Sequence, residues 1–149
     1  GIRFLDKLER SKGEEFMFPH VRKAIADAWR RAGIPGVESL DGIETHDCFT
    51  STEYMAIDHF GLTPPGQSWQ AIESGLVEID GKCPVNASGG LIGVGHPVGA
   101  TGARLLLDAG RQVTGTAGDY QVAGARTYGT LNIGGSLGTV VSFVVGLRD

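Results

Sequence analysis

Apolar side chains recur at helical spacing at Val21, Ala24, Ile25, Ala28, Trp29 and Ala32. The spacing predicts an amphipathic helix opened by Pro19 and closed by Gly33, with Pro35-Gly36 confirming the break. At 42–49, Gly-Ile-Glu-Thr-His-Asp-Cys-Phe, apolar and polar positions alternate as in a strand, which would put His46 and Cys48 on one face. The hydroxyls of Thr50, Ser51 and Thr52 and the acid of Glu53 then start a helix that runs to about Phe60 and ends at Gly61. A short helix is expected near Ser68–Ser74, with turns at Gly75 and Asp80-Gly81. A longer one follows from about Val98 to Thr114, carrying Ala103, Leu105, Leu106, Leu107, Ala109 and Val113. The apolar runs 123–133 and 137–147 read as strands either side of Gly134-Gly135-Ser136, and Val140–Val145 reads as a buried one. Residues 1–18 are charged and only loosely amphipathic, a short helix or an extension of a preceding region, which leaves 19–149 as the domain proper. The order helix, strand, helix, loop, helix, strand, strand predicts an α/β fold with a mixed sheet covered by helices.

Composition narrows the function classes. The chain has 149 residues, of which 41% are hydrophobic and 20% charged, enough for one domain with a real core. A net charge of −4 argues against a nucleic-acid partner, which a basic face would mark. No apolar run is long enough to span a membrane, and the first ten residues lack a secretory apolar core. The two cysteines, Cys48 and Cys83, make no disulfide framework, so a cytoplasmic setting is expected. The four histidines and two cysteines show no short ligand spacing, and no metal site is expected. Cys83, beside Pro84, reads as a bystander, and His20 and His59 as surface or capping residues on helices.

Three segments could carry chemistry. His46-Asp47-Cys48-Phe49 stands where a strand feeds a helix, the usual place for a site in α/β proteins. A cysteine there can serve as nucleophile or as acid and base, helped by a neighbouring histidine and the helix N-terminus; it can equally pack as a small inert hydrophobe. The second segment, 86–104, places six glycines around His96. Its backbone can approach a ligand closely, and a histidine stiffened by Pro97 can donate to an oxyanion, or the glycines can simply serve a turn. The spacing fits neither a dinucleotide fingerprint nor a phosphate-binding P-loop. The third, Asn132-Ile-Gly-Gly-Ser136, can expose backbone N–H groups to a substrate oxygen, although taken alone Gly-Gly between apolar strands reads as a hairpin.

Together these segments resemble the C-terminal half of a thiolase. The resemblance rests on His46-Asp-Cys-Phe49, Asn86-x-Ser-Gly-Gly90, Gly95-His-Pro-Val-Gly-Ala-Thr-Gly102 and the glycine turn near 132–136, in that order, and covers about 19–147. The His-Asp-Cys-Phe form is similar to sterol-carrier-protein-type thiolases, whose relatives include acetyl-CoA acetyltransferases and lipid-transfer proteins. The resemblance implies an acyl-CoA acyltransferase that cleaves a 3-ketoacyl-CoA with CoA or runs the reverse Claisen condensation, with coenzyme A as substrate and no cofactor. It implies His96 as the histidine that holds the thioester oxygen, and His46 in the place of the asparagine of the first oxyanion hole. Gly134 N–H would be a donor of a second hole. The usual C-terminal acid/base cysteine is replaced by Asn132, so Cys48 is implied as the proton-transfer residue. Ser88, Gly89, Gly90 and Gly95 are implied to line the CoA thioester site. The nucleophilic cysteine belongs to the N-terminal half of a thiolase, and Cys83 does not match its motif. The expected partners are therefore acyl-CoA, CoA and that N-terminal half, in a homodimer or homotetramer, and the chain alone is expected to be inactive. Two alternatives are a non-catalytic acyl-CoA-binding or assembly subunit and a thiolase-like steroid-CoA aldolase.

Overall fold

The structure, a computed structural model, describes residues 12–135 and 137–147. It is a mixed α/β fold in three layers. Helix α1 (Pro19–Ala32) precedes strand β1 (Gly42–Thr45), with a short 3-10 turn at Val37–Ser39 between them. Helices α2 (Thr50–Phe60) and α3 (Ser68–Glu73) follow, then a five-residue helix α4 (Gly90–Val94) and α5 (Thr101–Thr114). A 3-10 turn at Gly118–Tyr120 leads to β2 (Thr127–Gly134) and β3 (Thr139–Gly146). The sheet order is β1-β2-β3, with β1 parallel and β3 antiparallel to β2. On the free side of β1, Ile43 N–H donates to Pro84 C=O and Asn86 N–H to Ile43 C=O, both at 2.8 Å, so 84–86 runs beside it as a short parallel edge.

The side-chain period of two separates the two faces. Ile43 and Leu131 point to one, where they join Val21, Ile25 and Trp29 of α1 and Ala56 and Phe60 of α2 in the larger core. Tyr128 points to the other and packs with Ala109 and Val113 of α5. Helices α1 and α2 stop where the sequence says, at Gly33 and Gly61, both left-handed with φ near 75° (73° and 79°).

Several expectations change. The strand expected over 42–49 ends at Thr45, because His46–Phe49 leave the sheet to enter α2. The long helix begins at Thr101 rather than Val98, and α4 was not anticipated, since four of its five residues are not strong helix formers. Val140–Val145 is not a buried strand. β3 is the sheet edge, and α5 covers Val145 but leaves Val141 and Phe143 about 40% exposed (40% and 42%). His59 is not at the surface either. It is 1% exposed, taking Phe18 N–H on Nε2 at 3.1 Å while Nδ1 donates to Met55 C=O at 2.7 Å. Of the helix considered over 1–18, residues 1–11 lie outside the described residues, and 12–18 form turns and bends. Among the described residues, no helix is long and apolar enough to cross a membrane.

Candidate active site

The site lies at the carboxyl ends of β1 and β2, the end where parallel strands present ligand crevices. His46 is the first residue beyond β1. Its N–H still donates to Leu131 C=O at 3.0 Å, which continues the ladder by one bond and fixes the ring direction. Two residues on, Cys48 is half-buried just ahead of α2. The capping hydroxyl is Thr52: it donates to Phe49 C=O at 2.6 Å and accepts Phe49 N–H at 3.3 Å. The Thr52 oxygen also stands 3.9 Å from the Cys48 sulfur.

A second wall comes from the glycine-rich segment. Asp47, 3% exposed, takes Leu91 N–H on Oδ1 at 2.6 Å. Glu44, fully buried, accepts both Ser88 N–H at 3.2 Å and Ser88 O–H at 2.6 Å. Thr45 N–H donates to Asn86 Oδ1 at 2.7 Å. Three successive clamps thus stitch the end of β1 to residues 86–91. The stitched chain continues through α4 to His96, whose Nδ1 lies 2.7 Å from Thr101 Oγ1. The rings of His46 and His96 meet edge to face, with centroids 4.8 Å apart and planes at 89°. Burial, and then the proximity of His96, lower the His46 pKa against the opposing pull of Asp47, so His46 is neutral at neutral pH.

The third wall is the β2–β3 hairpin at Gly134-Gly135, the turn that the glycines alone suggest; Ser136 lies outside the described residues. A cavity of about 570 Å³ opens between the three walls. His46, Cys48, Thr52, His96 and Gly134 supply its chemistry, and Phe18, Phe49, Val98, Ile133 and Leu137 its apolar lining. Few polar groups in an apolar concavity of this size is the make-up of a small-molecule site.

Of the sequence-based site residues, Cys48, His46, His96 and Gly134 therefore converge on one cavity. Ser88, Gly89, Gly90 and Gly95 do not line it. Ser88 faces Glu44 and also lies 3.4 Å from Arg104, which pairs with Asp108 at 2.8 Å. Gly90 sits against the Asp47 carboxylate with φ of 60°, so the glycine there serves a close approach within the protein. Cys83 is buried away from the site, and burial pushes its thiol up to about 12. Sequence reasoning missed Glu44, Asp47 and Thr101. Their signal was an acid in a strand that is buried at every position, a second acid just beyond it, and a hydroxyl little more than a helical turn after the histidine. Among the described residues no group of three or more His, Cys, Asp and Glu side chains is placed to hold a metal. A shallower groove of about 390 Å³ between α1 and β3 contains none of these residues.

Comparison with known proteins agrees with this architecture. The family model described as "Thiolase C-terminal domain-like" matches residues 4–147. An acetyl-CoA acetyltransferase of Methanothermobacter thermautotrophicus is 42% identical over 117 residues, covering 78% of this chain and 30% of that protein. Sterol carrier protein 2 of Rattus norvegicus is 36% identical over 129 residues, covering 86% of this chain and 23% of its own length. The chain thus spans less than a third of these relatives. A solved Ltp2-ChsH2(DUF35) aldolase superposes on 86% of the chain, and on 32% of its own, with a TM-score of 0.76 at 21% identity, a likeness of fold. With its fold and all but its first three and last two residues matched, the chain belongs to the thiolase C-terminal domain-like family.

Proposed function

We propose that this domain forms one wall of the active site of a thiolase-like acyl-CoA acyltransferase. The observation that carries the reading is the convergence of Cys48, His46, His96 and Gly134, from three distant stretches of chain, on one apolar-walled cavity. Moving a proton at the carbon next to a thioester needs a base at that carbon and hydrogen-bond donors at the carbonyl oxygen. Cys48, half-buried and facing the cavity just ahead of α2, is the base. His96, His46 and the Gly134 N–H are the donors. Each donor aimed at the developing oxyanion is worth about 3–4 kcal/mol of barrier.

The nucleophile that carries the acyl group comes from outside this chain, because Cys83 is buried, protonated and remote from the cavity. Acyl-CoA and CoA are the small-molecule partners, and the other thiolase half, in a symmetric oligomer, is the protein partner. The apolar cavity and the relative named acetyl-CoA acetyltransferase favour this reading over an assembly role. The test is CoA-dependent cleavage of acetoacetyl-CoA. The 149-residue chain alone is expected to show none. A protein that joins it to a thiolase N-terminal half is expected to turn over and to lose that activity on Cys48→Ala. Turnover by the chain alone, or unchanged turnover in the variant, refutes the assignment.

A further inference from the structure

His96 is exposed on its loop, yet its ring is anchored from behind by a buried group. Thr101, in the first turn of α5, is 2% exposed, and its Oγ1 stands 2.7 Å from His96 Nδ1. That hydroxyl has one proton and two acceptors within reach, Nδ1 and the Pro97 carbonyl at 3.3 Å. The carbonyl already takes the N–H of Ala100 at 2.7 Å and of Thr101 at 3.1 Å, which uses both of its lone pairs. The shorter and less crowded contact receives the proton. We infer that Thr101 is a positioning residue that donates to His96 Nδ1 and so holds the neutral ring with its proton on Nε2.

The consequence is chemical. A neutral imidazole that accepts at Nδ1 presents a donor at Nε2, and with Nδ1 tied to Thr101, Nε2 is the nitrogen left for the cavity. The hydroxyl therefore decides whether His96 offers a hydrogen bond or a lone pair to whatever enters. The part His96 plays in catalysis rests on the acyl-thioester reading above. The tautomer does not, so the two can fail separately.

Nitrogen-15 histidine spectra of the 149-residue chain, recorded at alkaline pH, test the tautomer. The expected result is a protonated Nε2 and a hydrogen-bonded, bare Nδ1 in the wild-type chain, and the same in Thr101→Ser, which keeps the hydroxyl. In Thr101→Val, with the His59 signals unchanged as a control for folding, the share of the Nδ1–H form is expected to rise about fivefold, the equilibrium equivalent of one ordinary hydrogen bond. The contact between the His46 and His96 rings is expected to weaken as well. A proton on Nδ1 in the wild-type chain overturns the inference without any variant. Spectra of Thr101→Val that match the wild type overturn it also.

Discussion

Asp47 accepts the Leu91 N–H at 2.6 Å across 44 residues of sequence. This one bond joins the loop that holds His46 and Cys48 to the start of the segment that carries His96. Removing the carboxylate strands a buried N–H, which costs about 1–3 kcal/mol. Asp47→Ala is expected to lower the stability of the chain in urea by that amount, and Asp47→Asn, which keeps an acceptor oxygen, to recover most of it. Equal losses in both variants would show that charge, not the acceptor, matters.

Gly90 faces that same carboxylate. Its φ of 60° is costly for other residues, and an added Cβ would overlap the Asp47 side chain. Gly90→Ala is therefore expected to cost about 2 kcal/mol or more in urea unfolding. A cost below about 0.5 kcal/mol, the range of a neutral surface change, would mean the clamp yields freely.

Glu44 makes the stability of the fold depend on pH. Burial, opposed by the two Ser88 hydrogen bonds, raises its pKa from 4.5 to about 7. Below about pH 4.5 the group is protonated in both folded and unfolded chains. As the pH rises, the unfolded chain ionises first, so the folded state loses stability until about pH 7, by on the order of 3 kcal/mol in all. Glu44→Gln removes this contribution. The stability difference between variant and wild type is expected to move in favour of the variant from pH 5 to pH 8. A difference independent of pH would show that the carboxylate is ionised throughout.

His96→Asn separates catalysis from folding. The ring is exposed, so the unfolding free energy in urea is expected to stay within about 0.5 kcal/mol of wild type. In a protein containing both thiolase halves, kcat for acetoacetyl-CoA cleavage is expected to fall about 10²–10³-fold. A rate within a factor of three of wild type would remove His96 from the proposed chemistry.

Cys48→Ala should act at the proton-transfer step. Exchange of solvent deuterium into the carbon next to the thioester of bound acyl-CoA is expected to slow about 10²–10⁴-fold in the two-half protein. Unchanged exchange would place the base elsewhere.

Local chemistry was legible wherever neighbours in sequence decide it. Pro19, Gly33 and Gly61 mark helix ends because capping involves residues only a turn away. Gly134-Gly135 marks the hairpin for the same reason. What stayed hidden depends on distant chain. His59 looks like a surface helix residue until Phe18, 41 positions earlier, returns to donate to it. Glu44 looks like an outward strand position until Ser88 covers it. Val140–Val145 is apolar but for Ser142, and only the sheet order reveals an edge. The convergence of Cys48, His46, His96 and Gly134 could be anticipated through the family resemblance, since no local period joins such separated segments. The stitching role of Ser88 and Gly90 could not, because their partners lie on β1 and the loop beyond it.

The parallel pairing of β1 with β2 closes a loop of more than eighty residues, and Asp41 seals it by accepting the N–H of Thr127, 86 positions away, at 2.8 Å. Contacts of such span are among the slowest to form, because the chain's entropy is lost before they repay it. The cavity takes Ile133 and Gly134 from β2 and His46 from just beyond β1, so its walls meet only once the two strands pair. A nascent or damaged molecule with this pairing unmade lacks the cavity altogether rather than holding a distorted one.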